Sequence, residues 1–150
     1  MNRLSLAFLL LVVAGCASAA PQASAPAVTL HGHRFTTEFA TDDASREHGL
    51  MMRTELAADH SMLFVFPDVQ PRWFWMKNTL VPLDILYFGA DRKLVSMQLD
   101  VPPCKADPCP SYPSDAPARY VLELPAGTAR RIGVQAGDEL TVEGDIGAVR

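Results

Sequence analysis

The sequence predicts a mainly β domain, an antiparallel β-sandwich or barrel of about eight short strands with one or two short helices. Three observations carry this. The apolar runs, such as "SMLFVF" and "LDILYF", are short and rich in aromatic and branched residues. Several segments, "LVSMQLDV" and "ARYVLELP" among them, alternate with the period of a strand. Turn residues punctuate the chain closely, with 9 Gly and 12 Pro among 150 residues, which leaves little room for long helices or crossovers.

The elements follow in order. "VTLHGHRFTTEFA" reads as two short strands joined at a Gly turn. "TDDASREHGLMMR" is a short helix, with Thr41 as cap, Asp42 and Asp43 in a first turn where carboxylates suit the helix dipole, and an end between Gly49 and Arg53. "SMLFVF" is a buried strand stopped by Pro67, and "RWFWM" and "LDILYF" are two more, separated by "KNTLVP". "GADRK" turns the chain into "LVSMQLDV", where Val95, Met97 and Leu99 alternate with Ser96, Gln98 and Asp100. "ARYVLELP" places Tyr120, Leu122 and Leu124 on one face. "AGTARRIGVQAGDEL" is a helical turn with Gly exits, and "ELTVEG" is the last strand. Met51, Met52, Met62 and Met76 are expected to fill the core.

The first fifteen residues are not part of this domain. "MNR" is a short positive start and "LSLAFLLLVV" an apolar stretch. It is too short for a bilayer span of roughly 20 residues but suits a signal-peptide core. The "VAGC" that follows resembles the lipobox of bacterial lipoproteins, which implies a signal peptide over residues 1–15 and lipidation of Cys16. An ordinary secretory leader cut near "ASAA" is the alternative. Residues 16–27 then form a small, Pro-rich tether. One domain occupies residues 28–144, and residues 145–150 are a C-terminal tail. The resemblance implies export, with the protein held on a bacterial membrane by Cys16, in the outer membrane facing the periplasm where the cell has one.

Lipidation would remove Cys16 from a count of three cysteines and leave Cys104 and Cys109 as a pair in an oxidising compartment. A structural disulfide is the expectation. Redox chemistry is the sharper alternative, but "CKADPCP" is not a C-x-x-C spacing and no helix N-terminus is evident to activate a thiol. Thirteen basic against 17 acidic residues, a formal charge of −4, argue against a nucleic-acid partner, which calls for a basic face. His31 and His33 could share a metal on one strand face, yet "HGH" equally reads as a turn and no further ligands stand at suitable spacing. No metal and no cofactor are therefore expected. His48 and His60 read as surface residues, and Glu123 as a surface ion-pair partner of Arg119 or Arg130.

"HGLMMRTEL", "SMLFVF", "FWMKNTLVPLDILYF", "PCKADPCPSY", "ARYVLELPAG" and "AGDEL" occur in the order found in the domain-of-unknown-function 192 family. Over roughly residues 28–143 the chain resembles that family. The resemblance implies a small, mainly β, sandwich-like domain, often exported in bacteria, and implies no reaction.

The most apolar stretch of the domain, "FWMKNTLVPLDILYF", contains Lys77, Asn78 and Asp84. With period 2, Phe74, Met76 and Asn78 share one face and Trp75, Lys77 and Thr79 the other, while Asp84 lies with Leu86 and Phe88. A carboxylate there needs partners. It either caps backbone amides at a bend or joins Arg53, Lys77 and Asn78 in a pocket walled by Trp73 or Trp75. These six residues, Arg53, Trp73, Trp75, Lys77, Asn78 and Asp84, are the candidate ligand site. The expected function is a membrane-anchored envelope lipoprotein that binds a small polar or anionic ligand or an envelope protein partner. An enzyme on cell-wall or glycan substrates with Asp84 as acid or base, and an accessory structural lipoprotein without a ligand, are the alternatives. No catalytic triad or G-x-S-x-G motif is visible.

Overall fold

The computed structural model describes residues 25–150; the expected signal peptide, Cys16 and most of the expected tether lie outside the described residues. Within them the fold is mainly β, as expected, with nine strands and two short helices. In chain order these are β1 (Ala27–Leu30), β2 (His33–Ala40), α1 (Asp43–His48), β3 (His60–Gln70), β4 (Trp73–Trp75), β5 (Leu83–Phe88), β6 (Leu94–Val101), β7 (Ser111–Pro113), β8 (Ala118–Pro125), α2 (Thr128–Ile132) and β9 (Leu140–Glu143).

Seven strands form one sheet in the order β6-β5-β8-β3-β2-β1-β9. The sheet curls until its edges meet: Lys93 and Glu139 form a bridge, and the Leu94 N–H donates to the Asp138 carbonyl at 2.9 Å. β4 and β7 make a separate two-stranded sheet. β7 is the strand absent from the sequence reading, because three residues inside a Pro-rich loop leave no period to detect. The β2–β3 pair is parallel rather than antiparallel. The chain between them is long enough to return to the same end, and it carries α1 on the way.

Alternation along the central strands separates two apolar layers. Leu63 and Val65 of β3, Leu86 and Phe88 of β5 and Leu122 and Leu124 of β8 face the inner core, closed at one end by Ala129 and Ile132 of α2. Met62 and Phe64, Leu83, Ile85 and Tyr87, and Val121 face the second core, covered by Leu50, Phe74 and Met76. Every residue of β5 is buried because both its faces are covered. Ile146 and Val149 of the C-terminal tail pack against the inner core, and the Arg150 N–H donates to the Thr41 carbonyl at 2.9 Å.

Four local expectations are corrected. Asp42, not Thr41, caps α1: its carboxylate accepts the Ser45 N–H at 2.9 Å while the Ser45 hydroxyl accepts the Asp42 N–H, a reciprocal capping box. The strand predicted over "RWFWM" stops at Trp75, and the turn beyond it, with Asn78 at φ +55, breaks the period so that Thr79 rather than Asn78 is buried. On β6, Ser96 is buried against Asp115 and Val95 is exposed, because bulges in the β5–β6 pairing shift the register. Met62 and Met76 are in the core, but Met52 is exposed.

Candidate functional site

Asp84 is wholly buried, at 0% exposure. Its carboxylate accepts backbone N–H groups from Asp100 (2.9 Å), Gly127 (3.1 Å) and Ala129 (2.9 Å). It therefore caps backbone amides, but those at the start of α2 and at the left-handed Asp100 (φ +51) of β6 rather than those of the adjacent bend. Lying with Leu86 and Phe88, it faces the inner core. The groups with which a pocket was expected lie on the other side of the sheet.

Arg53 is also removed from that set. It donates to Glu38 at 2.6 Å, and the other oxygen of Glu38 pairs with His60 at 2.7 Å. Arg53 first, then His60, hold the Glu38 carboxyl below its usual range, against an opposing effect of burial. His60, read as a surface residue, is half-buried in this cluster and also contacts the Thr36 hydroxyl at 3.0 Å.

Trp75, Lys77 and Asn78 do come together. With Ala44, Glu47 and His48 of α1 and Met51 they line a groove of about 460 Å3. Two features of the chain build it. The Met52 N–H donates to the Asn78 carbonyl at 2.8 Å, joining "GLMMR" to "MKN" across one end. Gly49 ends α1 at φ +49, and a Cβ there would meet Phe64 Cζ at 3.1 Å, so glycine lets the helix exit lie close against the second core. Trp75 is 49% exposed and forms a wall; the Lys77 ammonium lies 5.6 Å from its ring centroid and 3.6 Å from Asp107 Oδ2. Trp73, 67% exposed, stands on the same face of β4 but opens onto a neighbouring depression beside Arg46 and Phe66.

The Cys104–Cys109 disulfide is formed. Its loop, with Lys105 and Asp107, borders Lys77 and Asn78 on the far side of the rim.

Beneath the groove a narrow cleft of about 30 Å3 continues inward between Gly49, Leu50, Phe64, Phe74 and Thr79 and reaches Glu123. This residue was expected on the surface in an ion pair. It is instead 5% exposed, on the β8 face that carries Val121 into the second core. Among the described residues no donor bonds its carboxyl, and burial alone pushes its pKa up to about 8. The sequence did carry a signal: in "RYVLEL" Val121 and Glu123 share the face opposite Tyr120, Leu122 and Leu124, and Val121 marks that face as apolar too.

The chain matches the DUF192 family, described as uncharacterized ACR, over residues 26–142. Two crystal structures are similar. One is a protein of unknown function from Novosphingobium aromaticivorans, 33% identical, with a TM-score of 0.71 over 77% of this chain and 83% of that one. The other is a putative transcription regulator from Sinorhizobium meliloti, 40% identical, with a TM-score of 0.71 over 82% of this chain and 98% of that one. Comparison with curated proteins gives no match.

Proposed function

This chain belongs to the DUF192 family, and from that footing we propose that it is an exported, membrane-tethered binding domain whose groove between α1 and β4 receives a small polar ligand. The observation that carries the reading is the convergence of Trp75, Lys77 and Asn78 with Glu47, His48 and Met51 around one concavity. An aromatic wall with a few polar groups is the usual make-up of a small-molecule site. Trp75 offers a flat apolar face to a ring, and Asn78 and Lys77 offer donors at its edge.

The charge balance favours a polar ligand over an anionic one. Arg53 is committed to Glu38, and the groove sets Lys77 against Glu47. An acid or base role for Asp84 finds no support, since its carboxylate is buried and taken up by three backbone amides. The transcription-regulator description of the Sinorhizobium meliloti relative is not carried over, because a DNA-binding face calls for a basic surface and this chain has a charge of −4.

Tethering rests on "LSLAFLLLVV", the lipobox-like "VAGC" and the Pro-rich residues before β1. Among the described residues no helix is long and apolar enough to cross a membrane. The test is isolation of the protein from native membranes, followed by mass spectrometry of co-purified small molecules. A compound retained by the wild type and depleted from Trp75→Ala is expected. Identical small-molecule content in the two preparations would refute a ligand groove.

A further inference from the structure

Resting on the groove reading, the geometry points to a more specific ligand: we propose that the cleft below the groove receives a primary ammonium group, with Glu123 as its counter-ion. Glu123 is 95% removed from solvent, has no donor among the described residues, and forms part of the lining of the cleft. A buried carboxyl with no partner is costly once ionised, and a group supplied from outside is what would complete it.

The size fits. About 30 Å3 admits one or two water-sized groups, so the head of an amine can enter while its body stays in the outer groove. The lining fits as well. Phe64 and Phe74 line the cleft, Trp75 and Met51 line both the cleft and the outer groove, and aromatic and thioether groups are electron-rich surroundings for a cation.

The charged and titratable neighbours leave this role open. From α1, Arg46 reaches the cleft, but its guanidinium donates to the Val65 carbonyl at 2.8 Å, to Asp43 at 2.7 Å and to the Arg150 carbonyl. Glu47 and His48 stand at the mouth, with Glu47 adding negative charge. From β5 comes the Tyr87 phenol, whose O–H is given to the Tyr112 carbonyl at 2.7 Å and whose pKa is raised by burial. β3 contributes Met62, opposite Glu123, and Phe64, neither of which titrates. Lys77 lies on the outer rim beside Asp107. None of these cations offsets the burial of Glu123, for which desolvation is the cause of the shift.

The proton balance gives the test. Below about pH 8 Glu123 holds a proton, and docking of an ammonium displaces it to solvent, leaving an ammonium–carboxylate pair. The apparent affinity for an amine that stays protonated across this range therefore rises about tenfold per pH unit between roughly pH 6 and pH 7, and levels off above about 8. The probe is n-butylammonium chloride, with n-butanol and sodium chloride at matched concentration as controls, followed by the Glu123 carboxyl NMR signal and by thermal unfolding. Butylammonium alone should shift that signal and raise the unfolding midpoint, and Glu123→Gln, which has no carboxyl to follow, should lose the rise in midpoint. The wild-type pH dependence is a readout that does not require the variant to fold. Equal binding of butanol, pH-independent affinity, or no binding of either probe overturns the ammonium assignment. If butanol binds and Trp75→Ala abolishes it, the groove reading survives that failure. If neither probe binds and the membrane preparation carries no Trp75-dependent compound, both fall.

Discussion

Asp84 Oδ2 accepts the backbone N–H of Ala129 at 2.9 Å, across 45 residues of sequence. With the Gly127 and Asp100 amides on its other oxygen, this bond ties β5 to α2 and to the irregular end of β6. The carboxylate is thus a structural anchor inside the inner core, not a reagent.

Asp84→Ala should therefore strand three backbone donors and lower stability on the order of 3 kcal/mol, measured by chemical denaturation. Lys77→Ala, at the half-exposed rim, should stay within about 0.5 kcal/mol. Equal effects from the two substitutions would contradict the anchor.

Glu123 makes stability fall with rising pH. In the unfolded chain it ionises near its ordinary value of 4.5, whereas burial holds the proton up to about 8 in the fold. Its contribution is fully present below 4.5 and is lost as pH rises through 8. Glu123→Gln should unfold like the wild type at acid pH and at a higher temperature at alkaline pH. Parallel unfolding curves for the two proteins from acid to alkaline pH would show that the carboxyl is not isolated.

Arg53 and Lys77 should separate in function. Lys77→Ala is expected to weaken retention of the native ligand several-fold, because Lys77 lines the groove. Arg53→Ala should leave retention intact and disturb Glu38 and His60. Loss of retention in Arg53→Ala alone would place the ligand at the Glu38 cluster instead.

Replacing Cys104 and Cys109 by Ser should cost about 2 kcal/mol, the magnitude expected for a short closed loop, without abolishing the fold. Because the loop holds Asp107 3.6 Å from Lys77, the same variant should also show a changed environment for the Lys77 side chain by NMR. A native preparation with two free thiols would contradict the pairing.

Cys16→Ser should shift the protein from the membrane fraction to the soluble one, or leave its leader uncleaved. Unchanged fractionation, with no acyl mass on the wild-type cysteine, would refute the anchor.

Most strands were legible because alternation and turn residues are local properties. The β5 faces, with Asp84, Leu86 and Phe88 on one side and Leu83, Ile85 and Tyr87 on the other, follow from the pleat alone, and the structure keeps them. Period 2 says which residues share a face, but not what covers it. That limit accounts for two of the departures at the site. Asp84 was grouped with Lys77 although it faces the inner core, and Glu123 was assigned to solvent although a second apolar layer covers its side of β8. The sequence by itself determined the β class and pointed to the Cys104–Cys109 pair, and it named Trp75, Lys77 and Asn78 only among six candidate residues. Only the tertiary structure decided that Arg53 pairs with Glu38, that Asp84 is consumed by backbone amides and that Glu123 lies uncompensated under the groove. Those outcomes depend on contacts between segments tens of residues apart, which arise when the sheet curls and both of its faces are covered.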